Sequence, residues 1–265
     1  MIRLDAAEVT FNQGTVNEVR ALRGIDLMLA DGEFVTVVGS NGAGKSTLLN
    51  AIAGVVAPNT GRVEVADRDV TSWPEHRRAA LVGRVFQNPL DGTAATMTVE
   101  ENLALALRRG RPRGFRLGVG ARERRTFAEV LEPLGMGLER RLKSAVGLLS
   151  GGQRQALTLL MATLARPRVL LLDEHTAALD PGAAAEIEAL TARLVAEQGL
   201  TTLMVTHNMQ QALRLGTRTV MLHQGEIALD VGDDDRAGMS VESLVQRFQR
   251  ARKQELVDDE LLLTH

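Results

Sequence analysis

The 265-residue sequence contains no cysteine. That excludes disulfide bonds and thiolate metal sites. It also lacks any run approaching the roughly 20 apolar residues of a membrane-spanning helix, so the chain is not expected to cross a bilayer itself. The first residues, Met1-Ile2-Arg3-Leu4-Asp5, lack the basic and apolar regions of a signal peptide. Net charge is scarce too. Thirty-one Lys and Arg against 33 Asp and Glu leave a formal −2, which offers no electrostatic argument for nucleic acid. Internal repeats and long low-complexity segments are absent. What is present is 45% hydrophobic content, enough for a real core, in a length that suits one large domain or two small ones.

The most specific feature is the run Gly39-Ser40-Asn41-Gly42-Ala43-Gly44-Lys45-Ser46-Thr47. It fits G-x-x-x-x-G-K-[ST]. A triphosphate carries several negative charges that many donors must hold at once. Glycines let the backbone curl until successive N–H groups point inward. A helix starting near Lys45 adds its positive N-terminal end. Lys45 supplies a point charge to the β- and γ-phosphates, and the Ser46 hydroxyl suits Mg²⁺. The β-branched run 33–38 before the loop and the helical run 48–53 after it give the strand–loop–helix context the motif needs.

A second glycine-bearing helix start follows at Leu149-Ser150-Gly151-Gly152-Gln153. Ser150 reads as an N-cap, and the two glycines leave backbone N–H groups bare, a second anion cradle. One nucleotide does not easily need two cradles from one domain. Two copies facing head to tail could each lend one cradle to each of two nucleotides. Just downstream, Arg168-Val169-Leu170-Leu171-Leu172-Asp173-Glu174 reads as a strand buried on both faces. Two carboxylates at such an end are costly unless they meet a cation or do chemistry. Asp173 is placed to hold Mg²⁺, and Glu174 to orient and deprotonate a water.

From about Ile2 to about Glu226 the chain resembles the ATP-binding subunit of ABC transporters. In that resemblance Gly39 to Thr47 matches Walker A, Val169 to Glu174 matches Walker B with its catalytic glutamate, and Leu149, Ser150, Gly151, Gly152 and Gln153 match the signature that completes the site in trans. Gln87, after the strand 81–86, matches the Q-loop and is implied as a further Mg²⁺ ligand. Ala178, Leu179 and Asp180 match the D-loop. His207, after the strand 201–206, matches the switch histidine. Phe11 is implied as the aromatic that stacks on adenine; the alternative is a core phenylalanine. His175 departs from the pattern, since many relatives have proline after the Asp-Glu pair.

The resemblance implies an α/β P-loop NTPase of the ABC type: a mixed-sheet core, a β-rich N-terminal subdomain and an inserted helical subdomain. The expected boundaries are 2–229 for the ATPase domain, about 90–165 for the helical insert, and 230–265 for a helical extension without a separate regulatory domain. Helices are expected over 99–107, 124–134 and 154–166, and a terminal amphipathic helix over 240–255. A hairpin is expected with its turn at Gln224-Gly225. The segment 88–97 after Gln87 is rich in turn formers and small residues. A groove there could seat a permease helix, with Met97, Leu103 and Leu107 either lining it or forming subdomain core. The arginine-rich stretch 108–125 is either a solvated loop or a patch for nucleic acid or anionic lipid headgroups.

The implied activity is ATP hydrolysis, with Mg²⁺, that energises transport through nucleotide-driven dimer closure. The catalytic set is Lys45, Gln87, Glu174 and His207. The implied partners are a second copy, membrane permease subunits and an extracytoplasmic solute-binding protein, with no nucleic acid. The implied place is the cytoplasmic face of the cell membrane. Separate ATPase and membrane chains favour an importer, and the segments 10–22 and 87–93 are similar to bacterial importers, some linked to amino acids. The alternatives are an exporter, a regulator that only binds nucleotide, or a relative in DNA repair or on ribosomes. The coiled coils, zinc inserts or doubled nucleotide domains of the last class are absent.

Overall fold

The computed structural model describes residues 1–110, 118–236 and 238–250. Its first elements are β1 (Ile2–Phe11), β2 (Val19–Leu29), β3 (Phe34–Gly39), α1 (Lys45–Ala53), β4 (Thr60–Val65) and β5 (Arg68–Asp69). Next come α2 (Glu75–Arg78), β6 (Val82–Val85), α3 (Val99–Leu107), α4 (Ala121–Leu131), α5 (Gly151–Thr163) and β7 (Val169–Asp173). The last are α6 (Pro181–Gln198), β8 (Thr201–Val205), α7 (Met209–Leu215), β9 (Arg218–His223), β10 (Glu226–Val231), α8 (Asp233–Arg236) and a helix over 241–250. The chain forms two compact units, Met1–Ser72 with Leu203–His265, and Trp73–Thr202.

The first unit holds an antiparallel sheet in the order β2-β1-β4-β5. Along β1, Ile2 and Leu4 face inward, and so do Ala7 and Val9. Going from even to odd positions on one face needs an extra residue, because side chains alternate with period two. The pairing register shifts between Leu4 and Ala7, where Ala6 takes φ 44°. Opposite the bulge stands Gly61, whose absent Cβ would lie 2.2 Å from the Ala6 carbonyl oxygen.

The same unit pairs β3 with β9 in parallel, from Val35↔Arg218 to Gly39↔Leu222. Residues 34–38 of β3 are all buried, as both faces of such a strand require. β10 returns antiparallel to β9, so the sheet is mixed, as expected. The turn is Gln224-Gly225, with φ 45° and 88°, the left-handed pair that a tight two-residue hairpin demands. Helix 241–250 lays Leu244 and Phe248 on Val38, Ala212, Met221 and Val231. Residues 251–255 of the expected terminal helix lie outside the described residues. Arg236 donates to the carbonyls of Ala212 (3.0 Å), Leu213 (2.7 Å) and Gly216 at the end of α7, satisfying acceptors that a helix terminus leaves open.

In the second unit β6 and β7 pair in parallel, from Val82↔Val169 to Val85↔Leu172. α3, α4 and α5 enclose a core built on Val99, Leu103, Phe127, Leu131, Leu157 and Leu160. The expected helix over 124–134 starts earlier and ends at Leu131. A 3-10 turn at Glu132–Leu134 replaces its last part, where Pro133 removes a backbone donor. Leu103 is fully buried in this core and Leu107 packs against it. Leu103 therefore belongs to the core that holds the helices together, and Leu107 is partly buried at its edge. Residues 111–117 of the arginine-rich stretch lie outside the described residues. In the described part of that stretch, Arg124 forms a two-pronged pair with Glu100 at 2.8 and 3.0 Å. Among the described residues no helix is long and apolar enough to cross a membrane.

Candidate functional site

Three glycines of the phosphate loop take φ values reserved for glycine: Gly39 at 154°, Gly42 at 80° and Gly44 at 100°. A Cβ at Gly39 would lie 2.3 Å from the Leu222 carbonyl oxygen, and one at Gly44 2.4 Å from that of Ala21. The loop is therefore wedged between its neighbours, and only glycine fits both turns. α1 begins at Lys45 with no side-chain cap and no acidic residue in its first turn. The N-cap is Gly44, which has no side chain to offer the helix start, and such a start favours an anion. Lys45 is 7% exposed and donates to the carbonyls of Gly39 (2.8 Å) and Ser40 (2.9 Å). This arch holds the ammonium over the loop.

His207 lies exposed in the short loop between β8 and α7. The loop is fastened on both sides of it. Thr206 N–H donates to Val37 O, and the Thr206 hydroxyl meets Gln211 Oε1 at 2.5 Å. Asn208 caps α7 by accepting from Gln211 N–H at 3.0 Å. Phe11 stands at the end of β1 and is 39% exposed. It is not a core phenylalanine, and its ring is available for stacking.

In the second unit Asp173 closes β7 and Glu174 follows with φ 41°. A left-handed backbone at a non-glycine residue costs about 1–3 kcal/mol and persists only where the surroundings demand it. Glu174 Oε2 accepts from Gln87 Nε2 at 3.3 Å, so the Q-loop and the acidic strand end meet. Asp173 Oδ2 accepts from Arg84 Nη2 at 3.4 Å. The far end of the Q-loop segment is fastened by Asn102, which is buried. Its amide accepts from Ala94 N–H at 2.8 Å and donates to the carbonyls of Ala94 and Thr98.

The start of α5 is finished differently from that of α1. Ser150 accepts from Gln153 N–H, and Gln153 Oε1 accepts from Ser150 N–H, a capping box. Arg141 donates to Gln153 Oε1 at 3.0 Å and Arg154 to Leu149 O at 2.9 Å. Two guanidinium groups thus clamp the signature loop. Gly151 and Gly152 would place a Cβ 3.3 Å from Leu179 and from Ala183 respectively. The glycines allow this loop to sit close on the D-loop, where Asp180 caps α6 by accepting from Ala183 N–H at 3.0 Å. A cleft of about 490 Å³ opens here, lined by Ser150, Gly151, Gly152, Leu179 and Asp180 among others.

No group of three or more His, Cys, Asp or Glu side chains gathers as a metal cage among the described residues.

The ABC transporter family matches residues 22–177. The chain belongs to the ABC transporter family. A tyrosine transport ATP-binding protein of Clostridioides difficile is 44% identical over 86% of this chain and 90% of that protein. A methionine import ATP-binding protein of Brucella abortus is 36% identical over 80% of this chain, which spans 55% of that longer protein. Among solved structures, a dimeric ATP-binding cassette in a post-hydrolysis state with ADP and Pi superposes with a TM-score of 0.76. It is 30% identical and matches over 88% of this chain and 99% of its own. This chain is thus an ABC ATPase, the ATP-binding and ATP-hydrolysing subunit of a transporter.

Within this ABC cassette His175 has a firm structural place. It is 2% exposed, with Nε2 3.0 Å from Thr191 Oγ1. The Thr191 hydroxyl donates to Ile187 O at 2.7 Å, so His175 Nε2 carries the proton and donates to Thr191. Burial pushes the imidazole down to about 4. The unfolded chain, near 6.5, binds the proton more readily, so stability is full above pH 6.5 and falls as pH drops towards 4. Urea unfolding at pH 7 and pH 4.5 should show an extra loss of about 2–3 kcal/mol in wild type that His175→Gln lacks. Equal losses in both proteins would contradict this placement.

The ABC motifs did not reveal Arg84, Arg141 or the pairing of Gln87 with Glu174. Arg84 and Asp173 lie 89 positions apart, Gln87 and Glu174 lie 87 apart. Only the Ser150-x-x-Gln153 spacing carried a local signal, that of the capping box.

Proposed function

We propose that this chain drives an importer for an amino acid or similarly small solute, working as a pair of copies that ATP closes head to tail. The observation that carries the reading is the contrast between the two helix starts. That of α1 has no side-chain cap, whereas that of α5 is self-capped and clamped by two arginines. In this reading the first start wraps the phosphates of its own nucleotide. The second is a finished surface that meets the γ-phosphate of the nucleotide on the other copy. Glu174 takes the proton of the attacking water. Lys45 and His207 hold the γ-phosphate, and Gln87, bonded to Glu174, senses its loss. Ser46, Asp173 and Gln87 are the residues to hold Mg²⁺. Once bound, that ion would neutralise charge developing on the phosphates. Phe11 stacks on adenine.

The solute class rests on the tyrosine and methionine relatives. The partners are permease subunits and an extracytoplasmic solute-binding protein, which place the chain on the cytoplasmic face of the membrane. The test is reconstitution with the neighbouring permease in proteoliposomes. Binding protein loaded with an amino acid should raise ATP hydrolysis and drive uptake. Stimulation by no amino acid, or transport outward only, would overturn the solute class and the direction.

The permease should dock beside the Q-loop. Leu90 is 42% exposed there, and Ala95 accepts from Gly147 N–H at 2.9 Å through its backbone only. A single cysteine at Leu90 or Ala95 in this cysteine-free chain should crosslink to a cytoplasmic loop of the permease, with a yield that changes with nucleotide. Crosslinks from the helix 241–250 and none from these two positions would move the docking surface elsewhere.

A further inference from the structure

Arg84 sits where the motifs assign nothing. It is the third residue of β6, and Asp173 is the last of β7. The parallel register sets Val85 against Leu172, so Arg84 reaches diagonally to the carboxylate at the strand end. Nη2 is 3.4 Å from Asp173 Oδ2, and the two side chains are 12% and 15% exposed. The guanidinium carbon lies 4.6 Å from the centroid of the Phe86 ring, two residues along the same face. Buried Arg84 Nε has no hydrogen-bond partner. The cation is therefore held in place by an aromatic face and by the carboxylate, at the cost of an unsatisfied donor.

We propose that Arg84 is a placeholder cation, which neutralises Asp173 and competes with the nucleotide-borne divalent ion for it. The inference rests on the reading of Asp173 as a ligand of that ion. Burying a carboxylate at a strand end is costly unless cations face it, and Arg84 contributes to offsetting that cost before the metal arrives. When a divalent cation binds Asp173, the Arg84 contact must loosen and two positive groups face each other. Arg84 thus lowers metal affinity and favours release of the metal with the product. It is a positioning residue acting through Asp173, and it need not touch the nucleotide.

The test is Mn²⁺ binding to the ADP complex of the full chain, read by electron paramagnetic resonance, for wild type, Arg84→Met, Arg84→Lys and Asp173→Asn. Arg84→Met should bind Mn²⁺ roughly three- to tenfold more tightly, the range of a partly screened ion pair. Arg84→Lys keeps the charge and should stay within about twofold of wild type. Asp173→Asn should weaken binding. Unchanged or weaker Mn²⁺ binding in Arg84→Met, with Asp173→Asn still weakened, overturns the role of Arg84 alone. Unchanged binding in Asp173→Asn overturns the metal reading of Asp173 and the inference with it. A charge effect separates from a packing defect because Arg84→Lys disturbs the Phe86 contact as well, yet should not tighten the metal.

Discussion

Glu174→Gln should lower ATP turnover by about 10²–10⁴-fold, the span of a general base, and leave ATP affinity within a few-fold of wild type. That corresponds to roughly 3–5 kcal/mol of barrier. The substitution is nearly isosteric. Its carbonyl oxygen can still accept from Gln87 Nε2, which is 3.3 Å from Glu174 Oε2. The backbone at φ 41° is strained for either residue, so the fold does not change with the side chain. What disappears is the charge that takes a proton from water. Steady-state phosphate release together with equilibrium nucleotide binding separates the two quantities. Turnover within about threefold of wild type would remove Glu174 from the role of base.

Ser150→Arg should lower turnover by at least about 10²-fold, the scale on which losing a transition-state donor acts. The mechanism is different. Ser150 is the N-cap of α5 and lines the cleft beside Gly151, Leu179 and Asp180. A long cation there blocks the surface that the second copy must approach. ATP binding to the single chain, which uses the α1 start, should be little affected. Ser150→Ala separates the two consequences. It loses the cap at about 1 kcal/mol of stability, but leaves the cleft open and should cost less than tenfold in turnover. Ser150→Arg turning over at the wild-type rate would show that the signature helix does not meet nucleotide.

These effects can be named in advance because the chemistry-bearing segments are local. The phosphate loop, the acidic strand end and the signature each sit in a few consecutive residues, and each is bounded by the strand or helix its composition indicates. The hairpin at Gln224-Gly225 followed from turn chemistry in the same way. The bulge at Ala6 was written in the sequence as a change of phase between Ile2, Leu4 and Ala7, Val9, but it becomes plain only when Gly61 is seen against the Ala6 carbonyl. Long-range partners were not legible. Nothing in the vicinity of Asp173 indicates that an arginine 89 positions earlier will reach it. Nor does anything near His175 indicate Thr191 as its acceptor, a contact that explains why histidine is comfortable after the Asp-Glu pair. Leu103 illustrates the converse. Its apolar side chain suited a groove or a core equally well, and burial among Phe127, Leu131 and Leu157 decides for the core.

The most direct measurement of the central claim is the solution mass of Glu174→Gln by light scattering, with and without saturating ATP and Mg²⁺. The variant should bind nucleotide and consume it about 10²–10⁴-fold more slowly, so that the closed state accumulates. The mass should rise from that of one chain, 28.6 kDa, to that of two when ATP is added, and Ser150→Arg in the same background should prevent the rise. A mass that stays at one chain under saturating Mg-ATP would contradict ATP-driven closure of two copies.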